Sequence, residues 1–133
     1  MRLSLPSRYA LHALAYLVKE GGNANVPTKA ISAAIGIPGV FLLKALKPLA
    51  NQRMLYSTTG PNGGYRLTAD ANKVTVLDVI EAVDGPMAAN DRGMASGDGG
   101  VERALGNLLG DAVKGVRGVY GGMTVAQLAK KRK

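Results

Sequence analysis

The spacing of apolar residues along the chain predicts five main helices and one short hairpin. In each helix the apolar residues recur three and four positions apart, as they do on one face of an α-helix. The helices predicted in this way cover residues 8–19, 28–36, 38–52, 74–84 and 101–117. A last short helix is predicted after Thr124, because its spacing to Gln127 matches a capping box. The sequence therefore predicts a mainly α fold with a small β-hairpin.

The hairpin is predicted between the third and fourth helices. β-branched and aromatic residues in Leu55–Thr59 and Gly64–Thr68 flank a turn-forming tetrad at residues 60–63. Gly36 can supply the left-handed backbone of a tight turn between the second and third helices. Helix, tight turn, helix and glycine-rich hairpin is the order of a winged helix-turn-helix, a pattern that usually binds duplex DNA.

Several residues are expected to fix the ends of these helices. Thr28 is expected to cap the second helix and Thr75 the fourth, where Asp78 in the first turn suits the helix dipole. Pro38 is expected to be the first residue of the third helix, and Pro48 to kink that helix or end it early. The glycines after residue 114 are expected to end the long helix over residues 101–117.

The third helix is expected to have one buried and one exposed face. The inner face is predicted to carry Phe41, Leu42, Ala45, Leu46 and Leu49. The outer face is predicted to carry Gly39, Val40, Leu43, Lys44 and Lys47. The two lysines are placed to contact phosphates. In the second helix the buried stripe is predicted to be Ile31, Ala34 and Ile35.

The helix over residues 101–117 carries an apolar stripe that a small domain has little left to cover. A partner helix is therefore expected. The predicted dimer interface consists of Leu105, Leu108, Leu109, Ala112, Val113 and Val116. The chain then divides into a winged domain over residues 1–86, a glycine-rich flexible loop over 87–100, and a dimerisation helix with a basic tail over 101–133.

The charge of the chain favours nucleic acid as a partner. The net charge is +8 and the pI about 10.0, and residues 1–56 alone carry seven Lys or Arg against one Glu, a net +6. A basic surface attracts polyanions because neutralised phosphates release counterions. No stretch approaches the ~18 apolar residues of a membrane span, and the apolar run after Arg8 fits a helix rather than a signal peptide. We expect a cytoplasmic protein without a membrane partner.

The composition excludes much of the chemistry of enzymes. The chain has no cysteine, which excludes disulfides, thiol catalysis and cysteine-ligated zinc or iron–sulfur sites. The one histidine, His12, is expected to be an ordinary surface residue. No phosphate loop, nucleophile elbow or pair of catalytic carboxylates is present, so neither an enzyme nor a bound cofactor is predicted.

Several short segments in residues 1–86 together are similar to one known family. They are MRLS (1–4), RYA (8–10), GI (36–37), FL (41–42), GP (60–61), GGYRL (63–67), VTVLDVI (74–80) and GP (85–86). They resemble the Rrf2 family of bacterial transcription regulators, the group that contains IscR, NsrR and CymR. The segment MTVAQL (123–128) also looks like the family's C-terminal segment.

The resemblance implies a homodimer that binds a roughly palindromic operator in double-stranded DNA, usually to repress transcription. It places the third helix in the major groove and the wing in the adjacent minor groove. The positions carried over for the third helix are Pro38, Gly39, Val40, Phe41 and Lys44. Those for the wing are Thr58, Thr59, Gly60, Asn62 and Gly63, and those facing the DNA backbone are Arg8, Tyr9, Thr28 and Lys29.

The chain also departs from the family. Many members hold an iron–sulfur cluster on three cysteines after the fourth helix, whereas residues 87–100 contain none. Thr59 stands where many members have an arginine suited to a narrow minor groove, and Arg53 where a glycine commonly ends the third helix. Two hypotheses follow: a cluster-free regulator that reads a divergent operator, and a winged-helix interaction module without specific DNA reading. A small-molecule effector between the C-terminal helix and the winged domain, or none at all, stays open.

Overall fold

The computed structural model describes residues 3–68, 71–88 and 99–130. Within them lie six α-helices and a two-stranded hairpin, which confirms the predicted mainly α fold. The elements are α1 Leu5–Tyr16, α2 Thr28–Ile35, α3 Gly39–Asn51, β1 Leu55–Thr58, β2 Gly64–Leu67, α4 Val76–Asp84, α5 Gly99–Gly121 and α6 Val125–Lys130. A π-helical turn, Leu17–Gly21, extends α1, and a 3-10 turn, Ala71–Lys73, precedes α4.

Helix α1 lies at the centre of the hydrophobic core and contacts α2, α3, α4 and α6. The largest fully buried apolar side chains are Leu17, Ile31, Leu42, Leu46, Leu49, Leu55, Val79 and Val125. The start of α1 is also tied to the end of α4, because Ser4 and the buried Ser7 both donate hydrogen bonds of 2.8 Å to the carboxylate of Asp84. The core thus joins α6, near the C-terminus, to the first four helices.

The turn between α2 and α3 has the geometry of a helix-turn-helix. Gly36 takes the predicted left-handed conformation, with φ +73°, and Ser32 donates its hydroxyl proton to the carbonyl of Ile37. The two helices meet at 113°, within the range usual for this motif. In the described residues no single helix is long and apolar enough to cross a bilayer, and α2 with α3 meets that test only as a bent pair.

Helix α2 corrects two expectations. Its N-cap is Pro27 rather than Thr28, because the Pro27 carbonyl accepts the first helical bonds, from the amides of Ala30 and Ile31. In α2 only Ile31 is buried, while Ala34 is exposed. Ile35, in the last turn of α2, is half buried against the core as part of the predicted stripe.

Helix α3 also differs from the prediction. It begins at Gly39, with Pro38 as N-cap, and it continues through Pro48 to Asn51. Pro48 removes one backbone hydrogen bond near the end of the helix, and burial of Leu49 against the core stabilises the last turn. Phe41 is half exposed and not on the inner face, because the buried positions 42, 45, 46 and 49 leave it one residue outside their stripe.

The hairpin is pinned to the chain that leads into α2. Leu55 pairs with Leu67 and Thr58 with Gly64, and residues Val26 and Tyr65 exchange two backbone hydrogen bonds of 2.8 and 2.9 Å. A Cβ atom at Gly64 would lie 2.2 Å from the carbonyl oxygen of Val26. This glycine therefore serves a close approach inside the fold.

Helix α5 is longer than predicted and passes through Gly115 and Gly118 without a break. Its last turns pack on α4, where Arg117 forms an ion pair with Glu81 and Gly121 lies against Leu77. This packing offsets the low helix propensity of the glycines, each about 1 kcal/mol less favourable than alanine. The predicted loop over residues 87–100 falls mostly outside the described residues, and its last two residues belong to α5.

The capping predictions for the last helices are confirmed. Thr75 caps α4 in a capping box with Asp78, and Thr124 and Gln127 form the same arrangement before α6. The two caps lie side by side, since residues 75 and 124 form an isolated antiparallel bridge. This bridge fixes the end of α5 and the whole of α6 to the start of α4.

Candidate nucleic-acid interface

The outward face of α3 is a stripe of two apolar and two cationic side chains. Val40, Leu43, Lys44 and Lys47 are all exposed and follow one another at helical spacing. The opposite stripe, at residues 42, 45, 46 and 49, is buried in the core. Since α3 is held along its length, this outward stripe is presented on a rigid element.

No acidic residue occurs between Glu20 and Asp70. This stretch contains α2, α3 and the hairpin, and it carries the cations Lys29, Lys44, Lys47, Arg53 and Arg66. These elements therefore contribute cations and no carboxylate to the surface, and Asp78 of α4 approaches them in the groove beside Arg53 at the end of α3. Such a surface attracts phosphates.

The tip of the wing is small, polar and exposed. The amide of Gly63 donates to the carbonyl of Gly60 at 3.0 Å, which closes the turn, and Thr58, Thr59 and Asn62 lie at the surface. Residues 55–65 include no cation. Contact between the tip and DNA would therefore rest on hydroxyl, amide and backbone groups.

A cation lies instead at the base of the wing. The guanidinium of Arg66 stacks over the ring of Tyr56, 4.5 Å from its centroid, and the two residues are paired across the hairpin. Neither residue was among the predicted DNA contacts. The sequence is sufficient to predict this stacked pair, because the hairpin register places Tyr56 opposite Arg66.

Leu43 is a third residue outside the predicted set of DNA contacts, and its side chain is exposed. The helical pattern predicts Leu43 on the outer face of the third helix. The structure confirms this, since Leu43 lies on the exposed stripe with Val40 and Lys44. The predicted set includes the apolar residues Val40 and Phe41 but not Leu43, although the spacing of Leu43 from Val40 and Lys47 indicates that the three share a face.

The predicted backbone contacts separate into two places. Thr28 and Lys29 lie in the first turn of α2, next to the hairpin's bridge at Val26. Tyr9 is half buried against the core. Arg8 lines a cavity of about 910 Å³ whose wall also includes the end of α5 and residues of α6. This cavity lies where a small-molecule effector would bind if the protein has one. Whether any of these side chains contacts DNA stays a prediction.

The apolar stripe of α5 is uncovered along the first half of the helix. Leu105, Leu108, Leu109 and Ala112 are exposed, and Val113 and Val116 are half buried. Among the described residues, the contacts of α5 with the winged domain lie near its end, through residues such as Arg117 and Tyr120. The arrangement leaves the stripe available to another helix, and the predicted interface stays a prediction.

A cysteine-ligated cluster does not fit the residues of this chain. The sequence has no cysteine, and the described residues contain no group of three or more His, Asp or Glu that could hold a metal ion. The carboxylate of Glu81, next to the segment that starts at Met87, is already engaged. The Met87 amide, 2.7 Å away, and Arg117 lower the pKa of Glu81 below its ordinary value.

Together the helix-turn-helix, the wing and the acid-free positive surface define a protein of the winged helix-turn-helix class. The chain belongs to the Rrf2 family, whose model, described as an iron-dependent transcriptional regulator, matches residues 3–131.

Named relatives agree with this class. The chain is 33% identical over 131 residues to the HTH-type transcriptional regulator IscR of Photobacterium profundum, covering 98% of this chain and 76% of that protein. It is 35% identical over 89 residues to an HTH-type transcriptional regulator of Mycobacterium tuberculosis, a match that covers 67% of this chain and 55% of that protein. These relatives are named as regulators, not enzymes.

Solved structures show the same fold. CymR, the global cysteine regulator of B. subtilis, superposes with a TM-score of 0.77 at 24% identity, and the match covers 100% of this chain and 99% of CymR. This likeness confirms the winged-helix architecture with its long C-terminal helix.

Proposed function

We propose that the chain is a homodimeric, sequence-specific DNA-binding repressor that works without an iron–sulfur cluster. The observation that carries the proposal is the outward stripe of α3, with two lysines and no carboxylate between Glu20 and Asp70. Such a stripe can enter a major groove while its cations lie near phosphates. A bacterial regulator of this kind would act in the cytoplasm, where the chromosome lies.

The homodimer follows from the exposed stripe of α5. If two copies pair along these stripes, a two-fold axis relates their winged domains. Each α3 would then face one half of a roughly palindromic operator. Repression would follow from occupancy of a site that polymerase also needs.

Base reading is assigned to α3 and backbone contact to its neighbours. Val40 and Phe41 are suited to thymine methyl groups, and Lys44 to the acceptors of guanine. The remaining proposed contacts are Pro38, Gly39 and Lys47 on α3, Thr58, Thr59, Gly60, Asn62 and Gly63 on the wing, and Arg8, Tyr9, Thr28 and Lys29 towards the DNA backbone.

The test begins with selection of duplexes from a randomised pool by the purified protein. Binding of the selected duplex is then measured by fluorescence anisotropy over a range of salt concentrations. Lys44→Ala should weaken binding and relax the base preference at the position it reads, whereas Lys47→Ala should lower the slope of log K against log salt by about 1 per lysine removed. Lys114→Ala, an exposed lysine on α5, is the matched control and should change binding little.

Two results would contradict the proposal. Failure to bind any duplex at low salt would overturn DNA binding altogether. A selected duplex bound no better than random duplex would favour the alternative, an interaction module that kept the winged fold. The feature that supports this alternative is the wing tip, which is polar and carries no cation. Stoichiometric iron and sulfide in the purified protein would overturn the cluster-free part.

A further inference from the structure

Two large apolar side chains stand on the outward stripe of α3. Val40 is 60% exposed and Leu43 47% exposed, and they lie one helical turn apart. Phe41, 49% exposed, flanks them. Single exposed apolar residues need no explanation, whereas a cluster of them on one short face marks a contact surface.

The charge around this cluster identifies its occupant. Lys44 and Lys47 continue the same stripe, and α2, α3 and the hairpin contain no acidic residue. The cluster is also small, since the opposite stripe of α3, at residues 42, 45, 46 and 49, is buried in the core. An apolar strip of this size on a helix whose charged residues are all cations complements a polyanion with small apolar groups, which describes the major groove of duplex DNA.

Within the major groove, Leu43 can recognise only one kind of group. Its side chain can neither donate nor accept a hydrogen bond, so it cannot distinguish the polar edges of the bases. The C5-methyl group of thymine is the apolar group exposed there. Cytosine methylated at C5 carries a methyl group at the same ring position.

We propose that Leu43, supported by Val40, makes DNA binding depend on the C5-methyl group of a pyrimidine in each half-site, so that 5-methylcytosine partly replaces thymine. The inference rests on the proposed function and adds its chemical specificity. Burial of one methyl group corresponds to about a threefold to fourfold gain in affinity. A symmetric site with two such methyl groups should therefore gain about tenfold.

The experiment uses the full chain and the selected duplex, prepared with thymine or with deoxyuridine, which lacks only the methyl group. Thymines of each half-site are replaced singly and together. Wild-type protein should bind the doubly substituted duplex about tenfold more weakly at the sensitive position. Leu43→Ala should bind the two duplexes equally. Lys47→Ala is the control, since loss of a phosphate contact should weaken both duplexes by the same factor and keep their ratio.

A second arm replaces the sensitive T·A pair by C·G and then by 5-methylcytosine·G. The methyl group should raise wild-type affinity about threefold to fourfold per half-site and leave Leu43→Ala unchanged. Specific binding that is equal on thymine and uracil duplexes, or a ratio that Leu43→Ala retains, would overturn the inference and leave the proposed function intact. Absence of binding to any duplex would overturn both.

Discussion

Helices α3 and α5 both expose leucine and valine side chains, but different charges surround them. The exposed stripe of α3 continues into lysines, and no carboxylate lies in the same stretch of chain. Helix α5 mixes both signs around its stripe, with Glu102, Arg103, Asp111 and Lys114. An apolar surface among mixed charges suits another protein helix, whereas one among cations alone suits a polyanion. The charge around an exposed apolar residue therefore helps to identify its partner.

The two helices also differ in how they are held. Helix α3 is buried along one whole face, from Leu42 to Leu49. In the part of the chain that the structure describes, α5 contacts the winged domain near its end, through the Arg117–Glu81 ion pair and the packing of Tyr120. A surface that reads base edges needs a rigid support, and a surface that pairs with its own copy gains its support from that copy.

The largest effect is expected at the proposed dimer interface of α5. Leu108→Asp places a charge in the centre of the proposed interface, and a two-fold axis makes each substitution count twice. We expect the dimer dissociation constant to rise at least about 100-fold, since burial of a leucine contributes about 2 kcal/mol. Sedimentation velocity at micromolar concentration should then show a monomer.

The control for this change is Asn107→Asp, which adds the same carboxylate on the opposite face of α5. It should leave the dimer intact. If Leu108→Asp also stays dimeric, the apolar stripe of α5 is not the interface. The difference between α3 and α5 would then need another explanation.

The wing offers the next largest effect. Gly64→Ala forces a Cβ atom to 2.2 Å from the backbone oxygen of Val26, at a φ of +144°. We expect a loss of about 3 kcal/mol in the free energy of unfolding, because a backbone atom cannot move aside as a flexible side chain can. Gly60→Ala is the matched control. Its φ is +95° but its Cβ would meet nothing within 4 Å, so it should lose only about 1 kcal/mol. Equal losses in urea denaturation would show that the contact with Val26 is unimportant.

The sequence predicted α3 and the wing better than it predicted α5. Patterns such as the spacing of Leu42, Leu46 and Leu49 and the turn at Gly36 are local, and the structure follows them. The continuation of α5 through Gly115 and Gly118 depends on packing against α4, which lies far away in sequence. Local propensity cannot report such contacts.

The same distinction between local pattern and distant packing applies at the candidate site. The stacking of Arg66 on Tyr56 could have been predicted from the hairpin register. The location of Arg8 beside α6 could not, because it depends on where the C-terminal helix returns to the core. The helical pattern predicts the wrong face for Phe41, because the exposure of a residue at the edge of a helical stripe depends on its neighbours in space.

A smaller effect is expected at the end of α3. Arg53 adopts a left-handed backbone with φ +63°, which favours glycine. Arg53→Gly should raise the free energy of unfolding by about 1 kcal/mol and the melting temperature by a few degrees. Gly36→Ala, at φ +73° with nothing near its Cβ, is the reverse change and should lower stability by a similar amount. A destabilised Arg53→Gly protein would indicate that the arginine side chain makes a contribution larger than the backbone preference.

The smallest effect concerns the attachment of α5. The Met87 amide and Arg117 stabilise the ionised carboxylate of Glu81, so its pKa in the folded protein is below the ordinary value of 4.5. A lowered pKa means that this stabilisation is complete at neutral pH and is lost as the pH falls from about 4.5 through the folded-state value. Glu81→Gln should therefore be slightly less stable at pH 7 and lose less stability than wild type on acidification. Glu20→Gln removes an exposed carboxylate elsewhere and should retain the wild-type pH profile. If the profiles of Glu81→Gln and wild type coincide, the ion pair does not hold α5 on α4, and packing at Tyr120 and Gly121 is sufficient.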